Sequence, residues 1–565
     1  MSDWKRLVPI TIILSALGCA APGPTRSDGA GGGSAPGGRG AVKRIVIGTT
    51  IEADIRPGGV VGQSFAILLA LIQPGLSLKD PEGVRRPVLA ESVPSLENGL
   101  WKVFPDGRME TTWKLRAGAQ WHDGVPFTAD DLLFSLRVGR DPELVAFQSV
   151  GYAEIDEVAA PDASTLTITW KRPYIEADAL YAHPGALRPL PRHLLEGAYR
   201  EDKVGFLDLP YWTQDFVGTG PYRVREWTIG VGVRLEANGE FVLGRPKIDE
   251  VELRHIPDAN TLSANLLAGA VDVTSLLPLD LGLQLREQWR DGTVIFNLGD
   301  GRWTFMVPQL IDPHPAVVGE LRFRRALVHA IDRQEMADTI LGGLSPVPHS
   351  MLEPNQAAYR EIEASIPRSD YHPRRAAELL QELGYAKGPD DAYRDAAGQR
   401  LEVEVRTSTI EEHVKAGAAI ADYWQRLGVG ATTARVAPQR VQDLEYVATF
   451  PAFLVRGVPI ANYRRYHSSG AQLPSNNFRA GADTNFSRYM NPELDALIDT
   501  YHRTVPMAER TQMLGQIARH MADQVTIIGL AYQTAPGAIS KRLLNVGTQW
   551  PGISITWNAH EWYVR

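Results

Sequence analysis

Cysteine is all but missing from this chain. Cys19 is the one example in 565 residues, so no disulfide can form within it. Charge of a single sign is scarce as well. Against 58 Lys and Arg stand 66 Asp and Glu, a net charge of -8, and no basic stretch is dense enough to neutralise a run of phosphates. That argues against a nucleic-acid partner. Past Cys19 there is no apolar run long enough for a transmembrane helix. Enzyme signatures are wanting too: no G-x-S-x-G elbow, no H-E-x-x-H helix, no Walker A loop and no G-x-G-x-x-G after a strand. The 13 His lie singly, with no pair at the i, i+4 spacing of metal ligands. No catalytic residue, metal site or cofactor is therefore expected. Asp390, Asp391 and Asp395 before Gly398 have the wrong spacing for a calcium loop and read as a hairpin turn. Gly218-Thr219-Gly220-Pro221 lacks the lysine of a phosphate loop, and its proline removes a donor amide, so it reads as a tight turn.

What is present points elsewhere. The length calls for two or more domains, and 44% apolar with 22% charged residues is the composition of a soluble globular body. Thirteen Trp and 18 Tyr are enough to fill cores and still line a ligand cleft. At the start, Lys5 and Arg6 precede an apolar stretch from Leu7 to Leu17, then Gly18 and Cys19. This is the pattern of a secretory signal, too short to span a bilayer. It resembles a bacterial lipobox, with Ala16 and Leu17 in the reverse of the usual order, which makes Cys19 the expected lipid anchor. Residues 20–41, rich in Gly, Pro, Ser and Ala, bury too little surface to fold and read as a flexible tether. Residues 1–19 would then be a lipoprotein signal peptide, and the body would stand at the periplasmic or extracellular face of a membrane.

The body, from residue 42, mixes strands and helices. Residues 44–48, 109–115 and 166–170 read as strands. Thr128 and Asp131 form a capping box that opens a helix through Leu136. Residues 373–383, the stripe Leu494, Leu497, Ile498 and Tyr501 after Asn491-Pro492, and the stripe Leu514, Ile517, Ala518 and Met521 are amphipathic helices. Such a mixture implies α/β or α+β domains.

Seven segments resemble, in order, family-5 extracellular solute-binding proteins, the oligopeptide-, dipeptide- and nickel-binding components of bacterial ABC importers. They are Pro87 to Glu91 (PVLAE); Met109 to Leu136, with its W-H-D-G turn at Trp121 to Gly124; Val217 to Tyr222 (VGTGPY); Leu266 to Val273; Leu321 to Arg333; Tyr371 to Tyr385; and Tyr489 to Asp495. The resemblance implies an α/β fold of two lobes, the large type II (cluster C) form of the periplasmic binding proteins, hinged at two crossovers. Lobe I would comprise residues 42–302 and 531–565, and lobe II residues 303–530. It further implies no enzyme, but a monomer that takes a peptide-like or other small organic solute between its lobes and passes it to permease subunits. The alternatives are an orphan ligand-sensing receptor and a secreted hydrolase on the same fold. The motifs themselves read as structural, since recognising a fold does not locate its site.

By position, the ligand contacts are expected from Glu52, from the crossover at Arg302 and Trp303, and from the segment holding Arg456, Tyr463 and Arg464. Peptide-binding relatives place an aspartate in that segment for the peptide's ammonium group. This chain departs from them: no acid occurs between Glu445 and Asp483, while Arg456, Arg464, Arg465 and Arg479 are basic. A buried ammonium without a counter-charge costs several kcal/mol. The expected solute therefore lacks a free amine there and offers a carboxylate to an arginine.

Overall fold

The structure, a computed structural model, describes residues 42–56, 63–147, 150–182, 188–298, 302–354, 356–459, 462–479, 481–550 and 554–565. The expected signal peptide, the tether and Cys19 lie outside the described residues. Residues 43–565 form one compact unit.

The chain opens with β1 (Arg44–Thr49), whose buried Ile45 and Ile47 begin a core, and turns into α1 (Gln63–Ile72). Next comes a small antiparallel sheet of β2 (Trp101–Val103), β3 (Met109–Lys114), β4 (Ile155–Asp162) and β5 (Thr165–Trp170), in the order β2-β3-β5-β4. Between β3 and β4 run α2 (Ala129–Gly139) and the single turn α3 (Val150–Ala153). Strands β6 (Tyr222–Thr228), β7 (Gly232–Ala237), β8 (Glu250–His255), β9 (Val273–Thr274) and β10 (Gly292–Asn297) return to β1. Then β11 (Arg302–Pro308) starts a second sheet, followed by α4 (Leu321–His329), α5 (Arg333–Leu341) and α6 (Pro373–Glu382). That sheet is completed by β12 (Glu402–Thr407), α7 (Glu411–Leu427), β13 (Gly430–Arg435) and β14 (Phe453–Pro459). After α8 (Pro492–Tyr501) and α9 (Met507–Gln524), β15 (Ile528–Tyr532) closes it. Finally β16 (Ala535–Ser540) crosses back to the first sheet.

The first sheet has seven strands in the order β10-β16-β9-β1-β8-β7-β6, and the second has five in the order β13-β12-β14-β11-β15. Two sheets with separate cores are the two expected lobes. The chain leaves the second sheet at Tyr532, the end of β15, and re-enters the first at Ala535. One core gathers around Ile45, Leu68, Leu71, Val251 and Leu253. The second sheet is covered on both faces. Met306, Val405 and Val455 pack against α4, α6 and α7, whereas Trp303, Phe305 and Leu454 pack against α8 and α9. Alternation along a strand sends successive side chains to opposite faces, so a strand buried on both has no free side.

The quoted motifs serve as joints. Asp131 accepts the backbone N–H of Thr128 at 2.9 Å, as a capping box requires, and also those of Arg192 (3.0 Å) and of the Trp121 indole (3.2 Å). In the W-H-D-G turn Gly124 takes φ +87°, a left-handed conformation natural to glycine. His122 locks this turn to the G-T-G-P turn. Its Nδ1 accepts the N–H of Gly218, and its Nε2 sits 3.1 Å from the carbonyl of Gly220. Burial lowers its pKa to about 4, so the ring is neutral, with the proton on Nε2 donated to that carbonyl.

Candidate ligand-binding crevice

Strand directions alone locate the crevice. β10 is antiparallel to β16, β16 to β9, and β9 is parallel to β1, so β10 and β1 point the same way. The first crossover therefore leaves the first sheet at the edge where β1 ends. In the second sheet β11 begins at the crossover. β14 and β15 run antiparallel to β11 and β12 runs parallel to β14, so all three end at that same edge. The return crossover runs beside the outgoing one, with Asn297 paired to Ala535 on one side and Trp303 to Tyr532 on the other. Between the two edges lies a crevice outside the carboxyl ends of the strands, where α/β folds bind ligands. Its first wall carries residues 50–56 after β1. Its second carries Arg302, residues 408–410 before α7, the end of β14, and Gln533.

The expected contact residues divide when placed on these walls. Glu52, on the first wall, accepts the N–H of Gly230 in the turn between β6 and β7, so its carboxylate is engaged within its own lobe. Arg302 is at the second wall, half-buried, with Nε 3.3 Å from Oε1 of Gln533. Trp303 does not line the crevice in this structure. It is fully buried in the core, its ring 5.2 Å from that of Phe305, because β11 is covered on both faces. Tyr463 is likewise buried, edge-on to Tyr501 at 5.2 Å. Arg464 lies where the lobes meet a second time, in a small hollow shared with Glu154, Arg172 and Tyr174 of the first lobe and Asp499, His502 and Arg503 of the second. Arg172 pairs with Glu154 there, and Arg464 adds to the charge that lowers the Glu154 pKa. Apolar groups join the lobes as well: Val505 is buried among the small sheet's core residues, and Ile175 packs against the α8–α9 core.

Arg456 is the informative member. On β14 it faces the same side as its partner Phe305, and its guanidinium lies 4.7 Å from the centre of the Phe486 ring. Burial, with Arg465 nearby, lowers its pKa. Among the described residues it has neither an ion pair nor a hydrogen bond. Asp483, the acid that ends the basic segment in sequence, folds back to accept the amide of Asn462 at 2.8 Å and acts on Arg465 instead.

Position in the sequence did not reveal His413. Its Nδ1 is 2.6 Å from the Ser408 hydroxyl. That oxygen also accepts the N–H of Ile410 at 3.2 Å. His413 is buried, and Nε2 finds no partner among the described residues. Desolvation, with Arg456 and Arg302 next, lowers its pKa to about 4. Gly457 makes this possible: a Cβ there would stand 2.8 Å from His413 Nε2 and 3.2 Å from Gln533 Nε2. A serine beside a histidine suggests a nucleophile and base, but no carboxylate orients the other ring nitrogen. The second wall is thus rich in donors and cations. Its acid Glu412 is engaged by the hydroxyl of Thr304 at 2.6 Å. Among the described residues no cluster of three His, Cys, Asp or Glu could hold a metal ion, and no helix is long and apolar enough to cross a membrane.

Comparison with known proteins agrees with this architecture. The family described as "Bacterial extracellular solute-binding proteins, family 5 Middle" matches residues 86–467. The oligopeptide-binding protein AppA of Bacillus subtilis is 24% identical over 323 residues, 57% of this chain and 55% of that one. The chain spans about half the length of the curated relatives it matches. NikZ of Campylobacter jejuni, solved with Ni(L-His), superposes with a TM-score of 0.68 at 22% identity, over 92% of this chain and 99% of that one. The ABC transporter substrate-binding protein CtaP of Listeria monocytogenes gives 0.72 at 20% identity, over 93% and 99%. These solved structures share the two-lobe fold.

Proposed function

Because the chain belongs to family 5 of the bacterial extracellular solute-binding proteins, we propose that it captures a small organic solute between its lobes and delivers it to the permease of an ABC importer. Binding shifts the lobes toward a closed arrangement, and the permease reads that change. The reading includes attachment to the membrane through a lipid on Cys19 and a monomeric body outside the cytoplasm.

The solute we propose is an organic acid or acid-bearing conjugate without a free ammonium group at the second wall. The observation that carries this is Arg456, a half-buried guanidinium with no ion pair and no hydrogen bond among the described residues. A carboxylate arriving from solution would supply two acceptors to its planar fork. An ammonium would meet the like charges of Arg302, Arg456 and Arg465.

Native mass spectrometry of the full chain, purified without denaturation, tests the reading directly. A bound organic acid lacking a primary amine is expected. A family of masses fitting short peptides with unblocked N-termini would overturn the assignment. For the acid so recovered, Arg456→Ala should weaken binding at least tenfold in a calorimetric titration. Unchanged affinity would remove Arg456 from the site.

A further inference from the structure

The first lobe holds a cavity apart from the crevice. β6 runs the same way as β1, since β6 is antiparallel to β7, β7 to β8, and β8 is parallel to β1. The edge where β6 begins and β7 ends is therefore the one where β1 begins, opposite the crevice. At that edge lies a cavity of about 390 Å³, lined by Pro221 before β6 and by Phe241 and Leu243 after β7. Its other walls are Ala70 near the end of α1, the hairpin of Ser77–Lys79 and Arg85–Pro87, and residues 556–561 of the returning chain.

The interior is apolar. Leu78, Val88 and Phe241 are buried together with Trp557 packed against them, and the His560 ring stands edge-on to Phe241 at 5.7 Å. The polar groups of the interior are already engaged. Asp80 accepts the N–H of Val84 at 2.8 Å and Nε of Arg86 at 2.7 Å. Thr556 donates to the carbonyl of Ile67 at 2.8 Å, and the Asn558 amide donates to that of Asn545 at 3.0 Å. Burial lowers the His560 pKa, so its ring is neutral at pH 7. A space of this size holds roughly a dozen waters at about 30 Å³ each. On such a lining they find few partners, and an apolar group that displaces them gains affinity.

Charge decides which apolar molecule fits. Glu82, Arg86, Leu243 and Glu561 are exposed and stand at the opening. Arg86 is paired with the buried Asp80, which leaves the carboxylates of Glu82 and Glu561. An organic acid would meet like charges here. An ammonium would meet two carboxylates, and beneath them the rings of Trp557 and Phe241.

We propose that this cavity is a second ligand site, one that takes a small organic cation with an apolar body in the interior and an ammonium group beside Glu82 and Glu561. The residues that line it all belong to the first lobe, so filling it does not call for closure of the crevice.

Primary n-alkylamines of six to twelve carbons are the probe, titrated calorimetrically into the full chain at pH 7.5 beside carboxylates of equal length. One amine should bind per protein, about fourfold more tightly with each added CH₂ until the cavity is full. Carboxylates should bind at least tenfold more weakly. The double variant Glu82→Gln with Glu561→Gln, and separately Leu243→Arg, alter only exposed side chains, and each should weaken the amine at least tenfold. If no amine binds, the site does not exist. Binding that neither variant weakens lies elsewhere and overturns the proposal. Carboxylates that bind as tightly as amines overturn the assignment of a cation. If the wild type is a dimer that Leu243→Arg turns into a monomer, this face is a contact between copies and the proposal fails.

Discussion

His122 sits in the most recognisable motif of the chain and touches no crevice. Both ring nitrogens are used, Nδ1 as acceptor from Gly218 and Nε2 as donor to Gly220. Its pKa is about 4 in the folded protein, against the ordinary 6.5. The unfolded chain therefore takes up a proton below pH 6.5 that the folded chain refuses. Stability from this group is complete above pH 6.5 and declines as the pH falls toward 4, by about 1.4 kcal/mol per pH unit. Urea unfolding at pH 7.5, 6.0 and 4.8 should show that decline, and His122→Gln, which keeps an acceptor and a donor, should flatten it by one proton. Identical slopes would mean that His122 does not titrate this way. At this scale the sequence was legible where a residue fixes a turn or caps a helix, as His122, Gly124 and Asp131 do. It was opaque at the crevice. Trp303 and Tyr463 were chosen by position and proved to be core residues, because no local pattern tells which side chain of a doubly covered strand meets a ligand. His413 and Gln533 carry no motif. Only the fold brings them to the second wall, and unmet hydrogen-bonding capacity marks His413.

Arg333 opens α5, and what it does belongs to the elements around it. Its guanidinium donates to the carbonyls of Pro348 (3.0 Å), Gly529 (3.1 Å) and Ser369 (2.8 Å), which ties β15 and two loops to the start of the helix. Burial lowers its pKa to about 10, so it stays charged and the three bonds are charge-assisted. Arg333→Ala should destabilise the protein by roughly 2–4 kcal/mol in urea melts, since three carbonyls lose their donor. Arg333→Lys should recover only part of this, because one ammonium cannot span a planar fork's three directions. Recovery in full by lysine would show that charge alone matters. Elements were the best-read level of the sequence. Periodicity at 373–383, 491–501 and 514–521, and alternation at 166–170, each correspond to a helix or strand of the structure. The pairing order of the two sheets could not be read, since registers such as Asn297 with Ala535 join residues far apart along the chain.

For the molecule as a whole, the lobes are joined twice, at the crossovers and at the contact of Val505 with the small sheet's core. The second contact combines the buried Val505 with the charged hollow around Arg464, and Val505 is its apolar anchor. Val505→Asp should place a charge in that core and hold the lobes apart. Small-angle scattering without added solute should then give a larger radius of gyration than the wild type, and coincident curves would show that Val505 does not restrain the lobes. The two-lobe plan was legible because the seven motifs occur in order.

The placing of β16 has a consequence for how the protein comes into being. It lies inside the first sheet, between β10 and β9, yet it is made after the whole second lobe. As the chain leaves the ribosome, residues 302–532 can finish their lobe while the other still has a slot through its middle. That slot closes only when residues 535–540 emerge. The first lobe, although begun first, is therefore the last part of the molecule to be completed.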